Sequence, residues 1–313
     1  MANDTNSAAT IPVNRDAYIG VIFALLAAVG FSAKAIFVKL AYAESQVDAV
    51  TLLALRMAFA VPFFIGVAVW ARYQHAEPLS RHDRLLVLGL GLIGYYLSSF
   101  LDFLGLQYIT AGLERLILFI YPTLTVILTA LIFKRPVGRI TLGAMGLTYA
   151  GIALVFMHEA GVKQGGSLVL GAALVFASTL SYSAYLVGAG HAIRRIGASR
   201  FTAYAMVVAS AASLLQFGLT HPLGALALPV RVYEFSIAMA IFSTALPVFM
   251  LSYAIRRIGS GSASLIGAIG PVSTIYMAYV ILGESLTLIQ ILGSSLVLAG
   301  VLIVSANSRS GGK

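Results

Sequence analysis

The sequence predicts an all-α integral membrane protein with ten transmembrane helices, arranged as two inverted repeats of five. Three observations carry this prediction. The 313 residues are 60% hydrophobic and only 10% charged, whereas soluble domains average about 25% charged residues. Apolar stretches of roughly 20 residues, the length that crosses a bilayer as a helix, fill nearly the whole chain. The segment from Ile109 to Val155 also aligns with the segment from Ile258 to Val304 at one constant offset.

The mean hydropathy of +0.95 makes lipid the expected surroundings. In a bilayer the backbone must satisfy its own hydrogen bonds, and the apolar runs are too long and too uniform for barrel strands, so helices are predicted. The first span is too long for the core of a cleaved signal peptide and is interpreted as a retained helix. The predicted spans are Tyr18–Tyr42, Val50–Trp70, Leu85–Leu106, Ala111–Phe133, Ile140–Met157, Leu168–Gly188, Phe201–Leu219, Phe235–Ile255, Ala263–Leu282 and Leu286–Ala306.

The corresponding organisation is a polar tail at 1–17, a first repeat at 18–157, a linker at 158–167, a second repeat at 168–306 and a tail at 307–313. Aligned pairs across the repeats are Gly20 with Gly171, Gly112 with Gly261, Pro122 with Pro271, and Thr125 with Thr274. An odd number of spans in each half reverses the orientation of the second half. Inverted repeats around a site near the membrane midplane are typical of alternating-access carriers.

Basic residues set the predicted orientation, because short cytoplasmic loops carry an excess of Lys and Arg. With both termini in the cytoplasm, the opposite side holds only Lys163 and Arg231. The cytoplasmic side then holds Arg15, Arg72, Arg81, Arg84, Lys134, Arg135, Arg139, Arg194, Arg195, Arg200, Arg256, Arg257, Arg309 and Lys313. Since the charge of +9 is spread over short loops, no nucleic-acid partner is expected. The expected partners are the lipid bilayer and a small-molecule substrate, and the sequence leaves any oligomeric partner open.

Six charged residues fall inside the predicted spans, where a charge is costly and usually faces a polar interior. They are Lys34, Lys39, Arg56, Asp102, Glu114 and Arg115. Lys34 is expected to lie deeper in the membrane than the charged residues near its surface. Two interpretations stay open for it: contact with an anionic substrate group, or structural pairing with a carboxylate. Lys39, Asp102, Glu114 and Arg115 are expected near the non-cytoplasmic surface, as a gating or ion-pair network.

Two spans carry polar side chains on one helical face, at the spacing i, i+3, i+4 and i+7. These residues are Tyr95, Ser98, Ser99 and Asp102 in span three, and Ser178, Ser181, Tyr182 and Tyr185 in span six. Such a stripe faces either a wet cavity or a neighbouring helix to which its hydroxyls bond. The tyrosines favour a cavity, since a ring with a hydroxyl suits an amphipathic ligand.

Prolines at matching positions, Pro122 and Pro271, interrupt spans four and nine, and matched interruptions are the best sequence indication of a carrier's site. Each proline is expected to free a backbone carbonyl for a ligand or a hydroxyl, or to form a static kink. The candidate substrate-binding residues are therefore Lys34, Tyr95, Ser99, Phe119, Pro122, Tyr182, Tyr185, Gly267 and Pro271.

Several motifs are absent. The chain has no phosphate-binding GxxxxGK[ST], no HExxH, no GxSxG and no cysteine. No catalytic residue, cofactor or metal is therefore expected, and transport by such a chain runs downhill or uses an ion gradient. Since Asp102 and Glu114 are expected to pair with basic neighbours, they are not expected to carry protons, and movement down the substrate's own gradient is predicted.

The stretch from Leu282 through Gly283-Glu284-Ser285-Leu286-Thr287, with Gln290, Gly293 and Leu298-Ala299-Gly300-Val301, resembles the end of an EamA repeat of the drug/metabolite transporter superfamily. The stretch from Ala111 to Thr123 is similar to the matching part of a first repeat. Phe133-Lys134-Arg135-Pro136 departs from the Gly-Glu usual there, which removes the case for a symmetric pair of functional glutamates. The resemblance implies a multi-pass carrier of the bacterial inner membrane, closest to the aromatic amino-acid exporter branch.

The sequence therefore predicts an inner-membrane secondary carrier that exports small amphipathic metabolites, with amino acids as the expected class. The alternative within the same class is an exporter of cationic drugs, which needs a carboxylate deep in the cavity. An enzyme embedded in the membrane lacks its catalytic residues here. A passive structural membrane protein would not need matched broken helices.

Overall fold

The computed structural model describes residues 15–74, 78–134, 136–162 and 167–310, which form helices and no β-strand. The predicted tails and linker lie partly outside these residues. The helices of the first half are α1 (Arg15–Glu44), α2 (Ala49–Gln74), α3 (Arg81–Gly91), α4 (Ser98–Gly105), α5 (Ala111–Leu118), α6 (Tyr121–Phe133) and α7 (Arg139–Val162). Those of the second half are α8 (Ser167–Ile196), α9 (Ala198–Thr220), α10 (Val230–Ala240), α11 (Leu246–Gly267), α12 (Gly270–Met277) and α13 (Leu288–Ser310).

Length and composition make the chain a multi-pass membrane protein. In the part of the chain that the structure describes, eight helices are long and apolar enough to cross a membrane. They correspond to the first eight predicted spans. Two shorter apolar helices, Gly270–Leu282 and Leu288–Val304, stand where the ninth and tenth were predicted.

The internal repeat extends to irregularities of the backbone. The offset that aligns Pro122 with Pro271 also aligns the π-helical segment Leu92–Leu97 with the π-helical segment Ile241–Ala245. It likewise aligns the non-helical turn before Tyr121 with the turn before Gly270. Each proline falls in the first turn of the helix after its turn, where its missing N–H removes no hydrogen bond.

Helix packing shows that the first helices of the two halves run in opposite directions. Along α1, Lys34 contacts Asp102 and Lys39 contacts Leu106, so α1 and α4 are parallel. The helix α8 runs antiparallel to this third span, because Gly105 packs on Gly171 while Gly94, nearer the start of the span, packs on Tyr185. The helices α1 and α8 are therefore antiparallel, as inverted repeats require.

The remaining contacts follow the same symmetry. The helix α1 packs on α11 as α8 packs on α4, and α1 meets α12 as α8 meets α6. The pairs α2 with α9 and α7 with α13 each join equivalent helices of the two halves. The broken helix α5–α6 consequently lies beside α1 and α8, and the broken helix α11–α12 lies beside α1.

The boundary predicted between spans eight and nine does not appear as a loop, since helical backbone continues from Leu246 to Gly267. The chain nevertheless reverses direction there. Ile258 packs against Gly20 near the start of α1, whereas the Gly270 carbonyl lies beside Ser32, further along the same helix. The glycines and serines of this segment permit a sharp bend without a connecting loop.

Candidate functional site

Two serines, one on the first helix of each half, hold the two helix breaks. The Ser32 hydroxyl lies 2.9 Å from the Gly270 carbonyl, and the Ser183 hydroxyl lies 3.2 Å from the Tyr121 carbonyl. Each hydroxyl shares its one proton with a carbonyl of its own helix, Ala28 or Thr179, at 2.7 Å. Both carbonyls belong to the residue before the proline. The sequence predicted that each freed carbonyl would bind either a ligand or a hydroxyl, and in this structure both carbonyls have a hydroxyl partner. Each half of the molecule thus contacts the helix break of the other.

The guanidinium of Arg115 lies at the second break. Its Nη2 atom is 3.5 Å from the Ser32 hydroxyl, and a Cβ added to Gly270 would come within 2.6 Å of the same nitrogen. Glycine at position 270 therefore leaves the space that the guanidinium fills. The Nε atom of Arg115 is buried and has no hydrogen-bond partner among the described residues. Sequence analysis placed Arg115 near the membrane surface, but the structure places its head group at the helix break.

Next to this break, Lys34 joins two buried carboxylates. Its Nζ atom lies 2.5 Å from Asp102 Oδ2 and 3.1 Å from Glu114 Oε1. The side chains of Asp102 and Glu114 are 3% and 0% exposed, against 16% for Lys34. Structural pairing, one of the two interpretations left open for Lys34, is therefore present in this conformation. A substrate role for Lys34 stays a prediction and would require it to exchange one of these carboxylates for that of the substrate.

Two further basic residues surround this cluster. Lys39 donates to the carbonyls of Leu106 and Ile109, at 3.1 and 2.9 Å. Arg56, which the sequence marked as an intramembrane charge but not as a site residue, is 7% exposed. Its Nε donates to the Thr244 hydroxyl at 3.1 Å, and its guanidinium lies 5.5 Å from the centre of the Phe103 ring. Arg56 is thereby fixed between spans two, three and eight.

Tyrosines form a second cluster around the other break. The Tyr95 and Tyr185 hydroxyls are 2.9 Å apart, and the ring centres of Tyr182 and Tyr185 are 5.5 Å apart. The Tyr121 ring meets the Tyr182 ring edge-on at 5.7 Å. Gly94 is required here because a Cβ at that position would overlap the Tyr185 ring. The predicted residues Tyr95, Tyr182 and Tyr185 are thus brought together.

The serines of the two polar stripes join helices to each other. The Ser178 hydroxyl donates to the Ser98 carbonyl at 2.7 Å, and the Ser181 hydroxyl donates to the Ile93 carbonyl at 2.6 Å. Ser98, Ser178 and Ser181 accordingly bond to a neighbouring helix, which was the predicted alternative to lining a cavity. Ser99 is partly buried.

The other candidate residues lie around the breaks. Phe119 is buried in the first turn between α5 and α6, and its ring meets the Tyr121 ring edge-on at 6.3 Å. Pro122 is partly buried and Pro271 is buried. Gly267 ends α11 beside open space, since a Cβ at that position would meet no atom within 4 Å.

The charged cluster and the tyrosine cluster occupy equivalent places in the two halves. Lys34 follows Ser32 by two residues on α1, and Tyr185 follows Ser183 by two residues on α8. Because α1 and α8 are antiparallel, these steps lead away from the breaks in opposite directions. The two breaks therefore lie between a charged layer on one side and an aromatic layer on the other.

Glu284 is a structural residue whose role the sequence did not reveal. Its carboxylate accepts hydrogen bonds from the backbone N–H groups of Ala111 and Gly112, at 2.8 and 3.2 Å. The Thr110 hydroxyl accepts from the Leu113 N–H at 3.1 Å. Three N–H donors that have no partner within α5 are thus satisfied, and the negative charge also suits a helix N-terminus. The glutamate of the Leu282–Thr287 stretch ties the end of the second half to the broken helix of the first.

No group of three His, Cys, Asp or Glu side chains that could hold a metal occurs among the described residues. The antiparallel halves, the broken helices and the polar clusters between them define a membrane transporter with internal symmetry. The sequence profile of the EamA-like transporter family matches residues 18–157 and 169–306. The chain belongs to this family.

Similar proteins agree with this assignment. The chain is 32% identical to the uncharacterized transporter YcbK of Bacillus subtilis over 89% of its length and 90% of that protein. It is 26% identical to an uncharacterized transporter of Synechocystis, over 92% of this chain and 93% of that protein. One crystal structure of a protein at 17% identity superposes with a TM-score of 0.63, covering 94% of this chain and 99% of the other, which supports the fold.

Proposed function

We propose that the protein is a secondary carrier of the bacterial inner membrane that exports small amphipathic metabolites, above all amino acids, by alternating access. The observation that carries this proposal is the pair of matched helix breaks, each held by a serine of the opposite half. Broken helices at the meeting of inverted repeats expose backbone groups where a substrate can bind. The link between halves also gives each half a way to respond to the position of the other.

The proposal includes ten crossings of the membrane. Eight helices have sufficient length, and the reversal of the chain between Ile258 and Gly270 supports a ninth crossing. The helix α13 packs along α7 and supports a tenth. With ten crossings, the distribution of basic residues favours both termini in the cytoplasm.

Reporter fusions test this arrangement. Fusions after Lys134 and after Arg195 are expected to report the cytoplasm, and a fusion within residues 161–166 is expected to report the opposite side. The same compartment for all three fusions would contradict the five-plus-five scheme.

The substrate class rests on the chemistry near the breaks. Tyr121, Tyr182 and Tyr185 offer aromatic surface to an apolar side chain. The basic groups near the breaks, Lys34 and Arg115, suit the carboxylate of an amino acid. For the cationic-drug alternative, the two carboxylates that a cation would need are both engaged by Lys34. This geometry favours amino acids.

Uptake into proteoliposomes tests the function. Purified protein is compared with protein-free liposomes for uptake of labelled L-phenylalanine, L-leucine, tetraethylammonium and UDP-glucose. Saturable uptake of the amino acids is expected. Uptake of tetraethylammonium alone would instead support the cation exporter, and uptake of none of the four would contradict both proposals.

A pair of glycine variants supplies the matched control. Gly270→Val introduces side-chain atoms at the second break, where a Cβ already comes within 2.6 Å of the Arg115 guanidinium, and is expected to reduce uptake strongly. Gly143→Val changes a helical glycine whose Cβ would meet no atom within 4 Å, and its uptake should equal that of the native protein.

A further inference from the structure

We infer that Arg115 binds the anionic group of the substrate at the break between α11 and α12, and that the protein therefore selects organic anions and zwitterions over cations. This inference deepens the proposed carrier function and rests on it. It assigns to Arg115 a recognition role, where the sequence had suggested only a gate or ion pair.

The first support is the charge balance around the breaks. Four cationic side chains lie in or around the cluster, Lys34, Lys39, Arg56 and Arg115, with two carboxylates, Asp102 and Glu114. Both carboxylates lie within 3.1 Å of the Lys34 ammonium. Arg115 forms no ion pair with either of them within 4.0 Å in the described structure. The site therefore carries positive charge in excess, which a bound anion would partly neutralise.

The second support is the unused hydrogen-bonding capacity of Arg115. A guanidinium has five N–H donors in a planar fork that matches a carboxylate with two parallel bonds. In this structure Nη2 has one long contact to Ser32, and the buried Nε has no partner among the described residues. A buried charged donor left without an acceptor is costly, so the site favours a ligand that supplies one.

The third support is the position of the guanidinium. It touches Ser32 and Gly270 at the second break. Tyr121 of the first break follows Arg115 by six residues in the same span, and its ring meets that of Tyr182. Open space lies beside Gly267, at the end of α11 just before the same break. An anion on Arg115 would thus lie between the two halves, with aromatic rings beside it for an apolar side chain.

The other three cations are less suited to this role. Lys39 donates to the carbonyls of Leu106 and Ile109. Lys34 already has two carboxylate partners, and binding another anion would require one of them to be displaced. Arg56 is held by Thr244 and by the Phe103 ring, between spans two, three and eight rather than at a break.

Ligand-induced thermal stabilisation of the purified protein tests the inference separately from transport. Three probes share one ring and differ in charge: phenylacetate is an anion, L-phenylalanine a zwitterion and phenethylamine a cation. Phenylacetate and phenylalanine are expected to raise the melting temperature of the native protein, and phenethylamine is expected to have no effect.

Three variants identify the residue. Arg115→Gln is expected to weaken binding of phenylacetate and phenylalanine at least tenfold, and Arg115→Lys to restore part of it because the charge returns without the fork. Gly270→Ala retains the arginine but should weaken binding, since the added Cβ would displace its guanidinium. Gly143→Ala is the control and should bind as the native protein does.

The outcomes separate the two proposals. Selective anion binding that Arg115→Gln abolishes supports this inference. If such binding is found but no flux is measured, the result counts against the carrier function and not against the role of Arg115. Equal stabilisation of the native protein and Arg115→Gln by phenylacetate, stabilisation by phenethylamine, or no stabilisation by any probe would each overturn the role of Arg115. If Arg115→Gln does not fold, Gly270→Ala gives the same comparison.

Discussion

The Ser32 hydroxyl shares its proton between the carbonyl of Gly270, 2.9 Å away in the opposite half of the molecule, and the carbonyl of Ala28 in its own helix, 2.7 Å away. The equivalent bond runs from Ser183 to the Tyr121 carbonyl. Each bond therefore crosses between the halves and ends on the residue before a proline. Any motion of one half against the other must lengthen or exchange these two hydrogen bonds.

Removal of both hydroxyls should weaken the coupling of the halves. In the double variant Ser32→Ala with Ser183→Ala, each lost hydrogen bond is expected to cost about 1 kcal/mol of stability, and amino-acid flux is expected to fall. Thermal unfolding and proteoliposome flux measure the two effects. Ser295→Ala is the control, since that exposed hydroxyl bonds to the Ile291 carbonyl of its own helix. An effect no larger than that of Ser295→Ala would contradict the role given to these serines.

The charged cluster makes a second prediction. Lys34→Met leaves the Asp102 and Glu114 carboxylates buried without their cation, and loss of one partner of a buried ion pair costs about 3–5 kcal/mol. The variant should therefore unfold at a clearly lower temperature in detergent. Addition of Asp102→Asn and Glu114→Gln should recover most of the loss, because no uncompensated charge then remains. A single variant as stable as the native protein would show that Lys34 does not balance these carboxylates.

The sequence was sufficient for the helices and the repeat but not for the partners of the charged residues. Apolar length and internal alignment are properties of the chain itself, so the first eight spans and the breaks before Pro122 and Pro271 could be predicted. The pairing of Lys34 with two carboxylates depends on how three spans are rotated against each other. No periodicity of a single span contains that information.

The end of each repeat shows what the sequence could predict and what it could not. Lys134 stands where the second repeat has Gly283, yet both residues adopt left-handed backbone, with φ of 52° and 68°. The backbone of the repeat is thus retained although the residue has changed, in agreement with the fold expected despite that departure. The cap that Glu284 provides could not be predicted, because its acceptor role depends on the contact between the two halves.

Glu284 should stabilise the start of α5. Glu284→Ala leaves the N–H groups of Ala111 and Gly112 without their acceptor, and loss of a helix cap costs about 0.5–2 kcal/mol. Glu284→Gln keeps an acceptor oxygen and should lose less. Comparison of the melting temperatures of the two variants measures the difference, and equal loss in both would indicate that the charge rather than the hydrogen bonds matters.

Asp48, between α1 and α2, gives the protein a predicted dependence on pH. Partial burial raises the pKa of Asp48, but hydrogen bonds from Thr51 and Val50 and the nearby His221 lower it, and the net pKa lies below its ordinary value of 3.8. The stabilisation is therefore fully present above the ordinary pKa and is lost as the pH falls through the lowered one.

The comparison of the native residue with Asp48→Asn measures this effect. Asparagine keeps an acceptor oxygen for the N–H groups at the start of α2 but has no charge. Both forms should carry His221→Gln, so that only Asp48 differs between them and the histidine 3.4 Å away is absent from both. The difference in melting temperature should be constant near neutral pH and disappear in acid below pH 3.8. A difference that grows in acid would contradict the lowered pKa.

Net efflux of L-phenylalanine from loaded proteoliposomes, without an ion gradient or a membrane potential, tests the carrier proposal most directly. The predicted result is saturable efflux down the amino-acid gradient, well above that of protein-free liposomes and strongly reduced by Gly270→Val but not by Gly143→Val. Efflux equal to that of protein-free liposomes, or efflux that requires an imposed pH or sodium gradient, would contradict a carrier that moves amino acids down their own gradient.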